Sequence, residues 1–335
     1  MANKLALTDC INPNVVESAG ELFEAFTTAR PFRHVVIDHF LSEAFCRDVC
    51  EQFPAFVDSH AINENRQVGG KATRENVSDL GSAFKRMDGL ARHPQFLSLI
   101  ERITGVADLH YDPHYFGGGT HENRHGQDLD PHINFNYHPI TQQHRRLNLI
   151  IYLNEEWQDS WGGALQLHRD PHLPPNEDEV VTVSPVMNRC VIFETTEHSW
   201  HGFERIDLPP DRQDLSRKSF ALYYYTDTRP KDETAGEHST VYVERPLPDR
   251  YQPGMILGEQ ELAEIHRLLS RRDQHLARLY GDVQKLREQI NLSRYVKNKD
   301  ADKLSCEEVP LDLPAAAREI KALRQRVNEL ESSTS

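Results

Sequence analysis

His132 in Asp-Pro-His132-Ile-Asn134-Phe and His201 in Ser-Trp-His201-Gly-Phe are the side chains of this sequence best suited to hold a metal ion. Arg217 in Ser-Arg217-Lys-Ser219 is best suited to hold an anion near it. Side chains alternate along a strand, so residues 132 and 134 share a face and reach one ion, while His201 arrives from a later strand. Two histidines and one carboxylate on one face of an iron ion leave the opposite face open for a 2-oxo acid and dioxygen. The planar, permanently charged fork of Arg217 suits the far carboxylate of such an acid, and Ser219, two residues on, offers a hydroxyl from the same face. The pattern departs at one position: where the iron triad has a carboxylate, this chain has Asn134. An amide removes one negative charge and leaves a neutral carbonyl oxygen, so Fe(II) is expected to bind more weakly. Three arrangements stay open. Asn134 ligates through its amide oxygen, with Asp130 compensating from the same face; the position is empty or holds an anion; or the site has lost its metal and the protein is a binder or scaffold.

Neighbouring features have plainer explanations. Seven histidines lie between His110 and His144, but a histidine outside such a pattern is more often hydrogen-bonded in a loop or at the surface than a ligand. His198, three residues before His201, turns to the other face of its strand. Gly117-Gly118-Gly119 lacks the Lys-Ser/Thr of a phosphate loop and reads as a flexible turn near the mouth of the site. Tyr223, Tyr224 and Tyr225 are mainly packing residues, with one of them open to line the pocket. Trp157, Trp161 and Trp200 read as core or rim.

These residues must be positioned by strands. The runs 147–153, 164–168, 180–183, 190–193 and 220–225 are apolar or alternating and are bounded by Gly, Pro, Asn and Asp, which predicts short strands of a β-sandwich or double-stranded barrel. Ahead of them, Val35-Val36-Ile37 predicts a strand entering a helix capped by Ser42, with Phe45, Val49 and Phe53 on one stripe and Cys46 and Cys50 beside it. The segment 54–88 is polar and weakly patterned, a surface loop or part of a lid. Residues 96–103 predict a second amphipathic helix. Past Pro253, Leu262, Ile265, Leu269, Leu276, Leu279, Val283, Leu286 and Ile290 fall on a and d heptad positions, with Arg272 the polar intruder. This seam predicts either a coiled coil or a helix folding back on its own domain. The expected organisation is a catalytic-sized domain over 1–250, a coiled-coil helix over 259–292, a linker over 293–313 and a helix over 314–333. That last helix opens on Pro314 and carries Ile320, Leu323, Val327 and Leu330.

The chain has 335 residues and a formal net charge of -14, from 38 Lys+Arg against 52 Asp+Glu. Such a charge repels a phosphate backbone, so a nucleic-acid partner is not expected. No apolar run is long enough to span a bilayer and the N-terminus lacks a signal-like apolar region, so a cytoplasmic protein with no membrane partner is expected. Five scattered cysteines point to free thiols in a reducing compartment rather than to disulfides.

The ordered set His132-x-Asn134-Phe-Asn-Tyr-His-Pro139, Arg145-Arg-Leu-Asn-Leu-Ile-Ile-Tyr152-Leu-Asn154, Trp161-Gly-Gly-Ala-Leu, Trp200-His201-Gly and Arg217-Lys-Ser-x-Ala-Leu-Tyr-Tyr-Tyr resembles the prolyl 4-hydroxylase-like branch of the Fe(II)/2-oxoglutarate oxygenases. The resemblance covers roughly residues 30 to 230. It implies an α+β, mainly β fold with a double-stranded β-helix (jelly-roll) core. It implies Fe(II) on His132 and His201, with Asn134 at the family's carboxylate position, and 2-oxoglutarate with its 5-carboxylate on Arg217, Tyr152 and Ser219. Ascorbate is a further candidate cofactor. Related oxygenases that lack the carboxylate bind halide there, but with a residue smaller than Asn. The implied activity is hydroxylation of a C–H bond, in a prolyl residue of a peptide or protein or in a small molecule, coupled to decarboxylation of 2-oxoglutarate to succinate. Two alternatives stand beside it: a degenerate binding or scaffold protein that self-associates through its coiled coil, and a jelly roll holding structural zinc without 2-oxoglutarate.

Overall fold

The computed structural model describes residues 6–61, 71–245, 247, 248 and 250–301. Its helices are α1 (Pro13–Glu17), α2 (Ala19–Thr28), α3 (Glu43–Glu51), α4 (Ser82–Ala91), α5 (Pro94–Thr104) and α6 (Glu259–Ala301). Its strands are β1 (His34–Ile37), β2 (Ala72–Arg74), β3 (His110–Tyr111), β4 (Gly119–Arg124), β5 (Leu129–Ile133), β6 (His144–Tyr152), β7 (Leu165–His168), β8 (Val180–Val183), β9 (Cys190–Glu194), β10 (Trp200–Phe203), β11 (Ser216–Thr226) and β12 (Val241–Tyr242). Two antiparallel sheets form, one in the order β1-β9-β6-β11-β4-β2 with β3 also on β11, the other β12-β5-β10-β7-β8. Two such sheets with helices covering one of them make the jelly-roll architecture that the strand pattern predicts.

Strand alternation divides the larger sheet between two cores. Leu147, Leu149 and Ile151 of β6 and Phe220, Leu222 and Tyr224 of β11 face the helices, meeting Phe45 and Val49 of α3, Phe84 and Met87 of α4, and Phe96, Leu99 and Ile100 of α5. Each fully buried side chain of this size stabilises the fold by about 1.5–3 kcal/mol. The intervening positions turn inward. Tyr152, Val191 and Phe193 pack with Leu165, Leu167 and Val183 of the smaller sheet. This inner layer, walled by both sheets, holds the candidate residues.

α5 shows how local sequence sets an element. Pro94 opens it, the His93 ring accepts from Gln95 N at 3.3 Å, and Phe96, Leu99, Ile100 and Ile103 make one buried stripe. Gly105 ends it at φ 72°, in the left-handed region that favours glycine. The expected strands all form. Ser42 does stand at the N-cap of α3, but its hydroxyl donates to the Asp9 carbonyl at 2.9 Å and caps nothing. Segment 54–88 contains β2 and most of α4 rather than only a loop. The apolar spacing Ala83, Phe84, Met87, Leu90, Ala91 is helical, but Gly81 at the N-cap supplies no capping side chain, so the sequence carries no start signal. α6 continues to Ala301, through residues expected to begin the linker, because polar residues without Gly or Pro do not end a helix. The rest of the expected linker and the helix over 314–333 lie outside the described residues.

Cys10, Cys46 and Cys190 are buried free thiols and Cys50 is a half-buried one, as expected. No helix among the described residues is long and apolar enough to cross a membrane. The chain divides into two units after Leu276, and the first turns of α6 fall in the same unit as the β strands.

Candidate active site

His132 and His201 stand directly opposite each other on β5 and β10, with ring centroids 4.3 Å apart. Each ring is fixed the same way: His132 Nδ1 donates to the Asp130 carbonyl and His201 Nδ1 to the Ser199 carbonyl, both at 2.9 Å. A proton on Nδ1 makes Nε2 the basic nitrogen, the arrangement that prepares an imidazole for a metal. Both residues are buried, and Phe193 closes over His201 at 4.7 Å between centroids. Burial holds the His201 pKa well below the ordinary histidine value, and the neighbouring His132 pushes it the same way, so the ring is neutral at pH 7.

Asn134 joins this pair. Its Nδ2 lies 3.2 Å from His201 Nε2. The two ends of an amide exchange by a half-turn, which puts Oδ1, a neutral oxygen donor, where Nδ2 stands. The residues therefore fit a metal held by two imidazoles and an amide oxygen. Among the described residues no three His, Cys, Asp or Glu side chains are grouped to hold a metal, so a carboxylate triad is absent from them. Asp130 does not fill the gap. Register shifts by one residue between the His201–His132 and Phe203–Leu129 pairs, and this bulge breaks the alternation that would align Asp130 with His132. The Asp130 carboxylate is engaged instead with Arg271 Nη1 at 3.1 Å and Arg245 Nε at 3.6 Å.

Arg217 and Tyr152 come together as the motif implies. Arg217 Nε donates to the Gly163 carbonyl at 2.6 Å and Nη2 to Tyr152 Oη at 3.1 Å, with the guanidinium 4.3 Å above the Phe203 ring. Gly163 is needed here, since a Cβ would lie 3.2 Å from Arg217 Cδ and 3.0 Å from Ile206. Ser219 is buried and pairs in register with Tyr152 on one side and His121 on the other. Arg217 is only 5% exposed, and no carboxylate among the described residues lies within ion-pair distance of it. Burial lowers its pKa, against the opposing pull of Tyr152.

The site also contains residues that the sequence motifs leave unassigned. Arg145 is 1% exposed and lies between the rings of Tyr223, at 3.7 Å, and Phe135, at 4.5 Å. Simple alternation would put it with Leu147 on the helix side, but a second register shift, between the Tyr224–Leu147 and Tyr225–Arg145 pairs, turns it inward. Lys71 sends its ammonium to His121 Nε2 at 3.2 Å. Of the three tyrosines, Tyr223 lines this inner side and Tyr224 is core. Gly117 lies in a turn, and its carbonyl receives Tyr223 Oη at 2.9 Å and lies 3.0 Å from His121 Nε2. His198 is exposed, away from the site, as expected.

Residues 118–225, from the start of β4 to the end of β11, match the family described as 2OG-Fe(II) oxygenase superfamily. That segment is similar to members of this superfamily. The match spans His132, Asn134, Tyr152, His201, Arg217 and Ser219 together. Among solved structures, the chain is similar to a Trichoplax adhaerens prolyl hydroxylase in complex with a hypoxia inducible factor oxygen degradation domain peptide. That likeness has 17% identity, a TM-score of 0.43, and covers 64% of this chain and 92% of the other. A Pseudomonas putida prolyl-4-hydroxylase is similar at 17% identity and a TM-score of 0.36, over 61% and 92% of the two chains. HygX from Streptomyces hygroscopicus, with nickel and 2-oxoglutarate bound, is similar at 10% identity and a TM-score of 0.40, over 65% and 94%. No curated protein matches the chain.

Proposed function

We propose that the protein is a 2-oxoglutarate-dependent dioxygenase that hydroxylates a C–H bond of a peptide or small molecule, with a prolyl residue among the candidate acceptors. The observation that carries this reading is Arg217, a buried guanidinium with no counter-charge among the described residues, in the same inner layer as two histidines with paired Nδ1 anchors. A buried cation left alone is costly, and a carboxylate ligand offsets that cost. His132, His201 and Asn134 would hold Fe(II). Bound iron with 2-oxoglutarate and dioxygen supplies C–H oxidation coupled to release of succinate and CO₂.

The chain's own residues do the rest. Arg217 and Tyr152 fix the far carboxylate of the 2-oxo acid, with Ser219 beside them, which sets the reach of its other end toward the histidines. The carbonyls of Asp130 and Ser199 keep both imidazoles in the tautomer that donates through Nε2. Phe193 and Phe203 line the inner layer with apolar surface and limit water. The test is Fe(II)-dependent succinate release from 2-oxoglutarate under air, which runs slowly even without the prime substrate. Native protein is expected to turn over. Arg217→Ala should raise the KM for 2-oxoglutarate about 10–100-fold, the worth of one to two charge-assisted hydrogen bonds. Equal activity in both proteins would contradict the assignment of Arg217.

A second reading, a binding protein whose site no longer takes a metal, is favoured by the residue type at 134, because a neutral amide brings no charge to an ion where a carboxylate would. We also propose that α6 self-associates: its heptad leucines are exposed while its charged face is engaged.

A further inference from the structure

We propose that the substrate carries a compact oxyanion, a carboxylate or a phosphate monoester, held by Arg145 and Lys71. This rests on the oxygenase reading above, because it assigns cations that the co-substrate leaves over. 2-Oxoglutarate has two carboxylates; Arg217 takes the far one and the metal the near one. Arg145 and Lys71 then remain, with an uncharged donor at Asn134 where the family has a carboxylate.

Neither cation is paired with an acid among the described residues. Arg145 Nε and Nη2 both donate to the neutral Asn148 Oδ1, at 3.0 and 2.7 Å, and its two faces are covered by aromatic rings. One of those rings, Phe135, directly follows Asn134 in the chain, which ties Arg145 to the metal-donor strand. The Lys71 ammonium meets the neutral His121, and His121 Nε2 cannot donate to the Gly117 carbonyl and accept from Lys71 at once. Burial and repulsion from Arg145 and Arg217 lower the Lys71 pKa to about 8, with Glu75 the one acid opposing. Glu75 itself is exposed and accepts from Gly117 N at 2.8 Å. Between Lys71 and Arg145 lie His121, the Gly117 carbonyl and Tyr223. Arg145, through the part of its guanidinium that Asn148 does not engage, and Lys71, with its point charge, are both cations able to meet an oxyanion.

The experiment is thermal unfolding of the full chain with saturating 2-oxoglutarate and Mn(II), in which nothing turns over. Inorganic phosphate and, separately, acetate are titrated in at constant ionic strength. One of them is expected to raise Tm beyond the 2-oxoglutarate effect, and the lower midpoint tells phosphate from carboxylate. Lys71→Gln and Arg145→Gln should each weaken that midpoint at least tenfold while the 2-oxoglutarate shift persists. Lys71→Gln, on an exposed stem, carries the test if Arg145→Gln does not fold. The proposal is overturned if neither anion shifts Tm, if saturating 2-oxoglutarate abolishes the shift seen without it, or if both variants respond like the native chain, which would mean an adventitious ion only. An oxyanion shift without any 2-oxoglutarate shift would defeat the oxygenase reading and leave an anion-binding site.

Discussion

Asn134 keeps an oxygen donor of aspartate's size in the inner layer while giving up its charge, and the surrounding residues make that loss consequential. Arg145, Arg217 and Lys71 are cations, whereas the two acids nearest in sequence, Asp128 and Asp130, are tied to other arginines. At this scale the convergence of His132 and His201 and the inner placement of Arg217 are legible in the sequence, because plain alternation turns them to one layer. Asp130 and Arg145 were not: each sits at a one-residue register shift, and a bulge leaves no mark in a pattern read two residues at a time. Lys71 gives a prediction about pH. Its folded-state pKa of about 8 lies below the ordinary 10.5, so between these values the unfolded chain binds more protons. Stability of the native protein relative to Lys71→Met should therefore rise as pH climbs from about 8 to 10.5. A difference that is flat with pH in urea titrations would show that the ammonium is not buried among cations.

α6 reverses the usual logic of an amphipathic helix. Its contacts with the β domain come from a charged stripe: Arg267 and Arg271 meet Asp128, Arg271 also meets Asp130, Glu264 meets Arg250, and the His275 ring stacks on Tyr242 at 4.8 Å. Asp128 and Asp130 are 2% exposed in their side chains, so these ion pairs are desolvated on one side. Removing one partner of such a pair strands the other. Arg271→Ala is expected to lower stability by about 3 kcal/mol, the low end for a broken buried pair because Arg245 and Arg267 remain; chemical denaturation measures it. A loss below about 0.5 kcal/mol would place these contacts among ordinary surface pairs. The same docking also touches function, since the Asp130 whose carboxylate binds Arg271 offers its carbonyl to His132. The heptad pattern was readable in the sequence, but which face met the domain was not. A leucine stripe suggested folding back by its apolar side, and buried acids on and beside β5 decide otherwise. Leu262, Leu269, Leu276, Leu279, Val283, Leu286 and Ile290 are left between 45% and 56% exposed. Light scattering should show a multimer for the full chain and a smaller mass for a Leu269→Lys, Leu279→Lys, Leu286→Lys variant. A monomeric native chain would end the self-association proposal.

Taken whole, the molecule is an acidic protein of net charge -14 with an inner layer where basic residues gather. The strand content was visible in the sequence because short apolar runs between turn residues need no long-range information. The helices before β3 were only partly visible: α3 and α5 were expected, while α1, α2 and α4 were not, since what buries them is the outer face of a sheet assembled from residues far along the chain. We propose that this fold holds a working iron and 2-oxoglutarate site with a neutral third donor. The most direct measurement is Fe(II)-dependent succinate release by the native protein and by Asn134→Asp, compared across Fe(II) concentration. Both are predicted to turn over, with the native protein needing more iron to reach half its maximum. Succinate from Asn134→Asp and none from the native protein at any iron concentration would contradict the claim, and would make this a 2-oxo acid pocket whose metal chemistry has been lost.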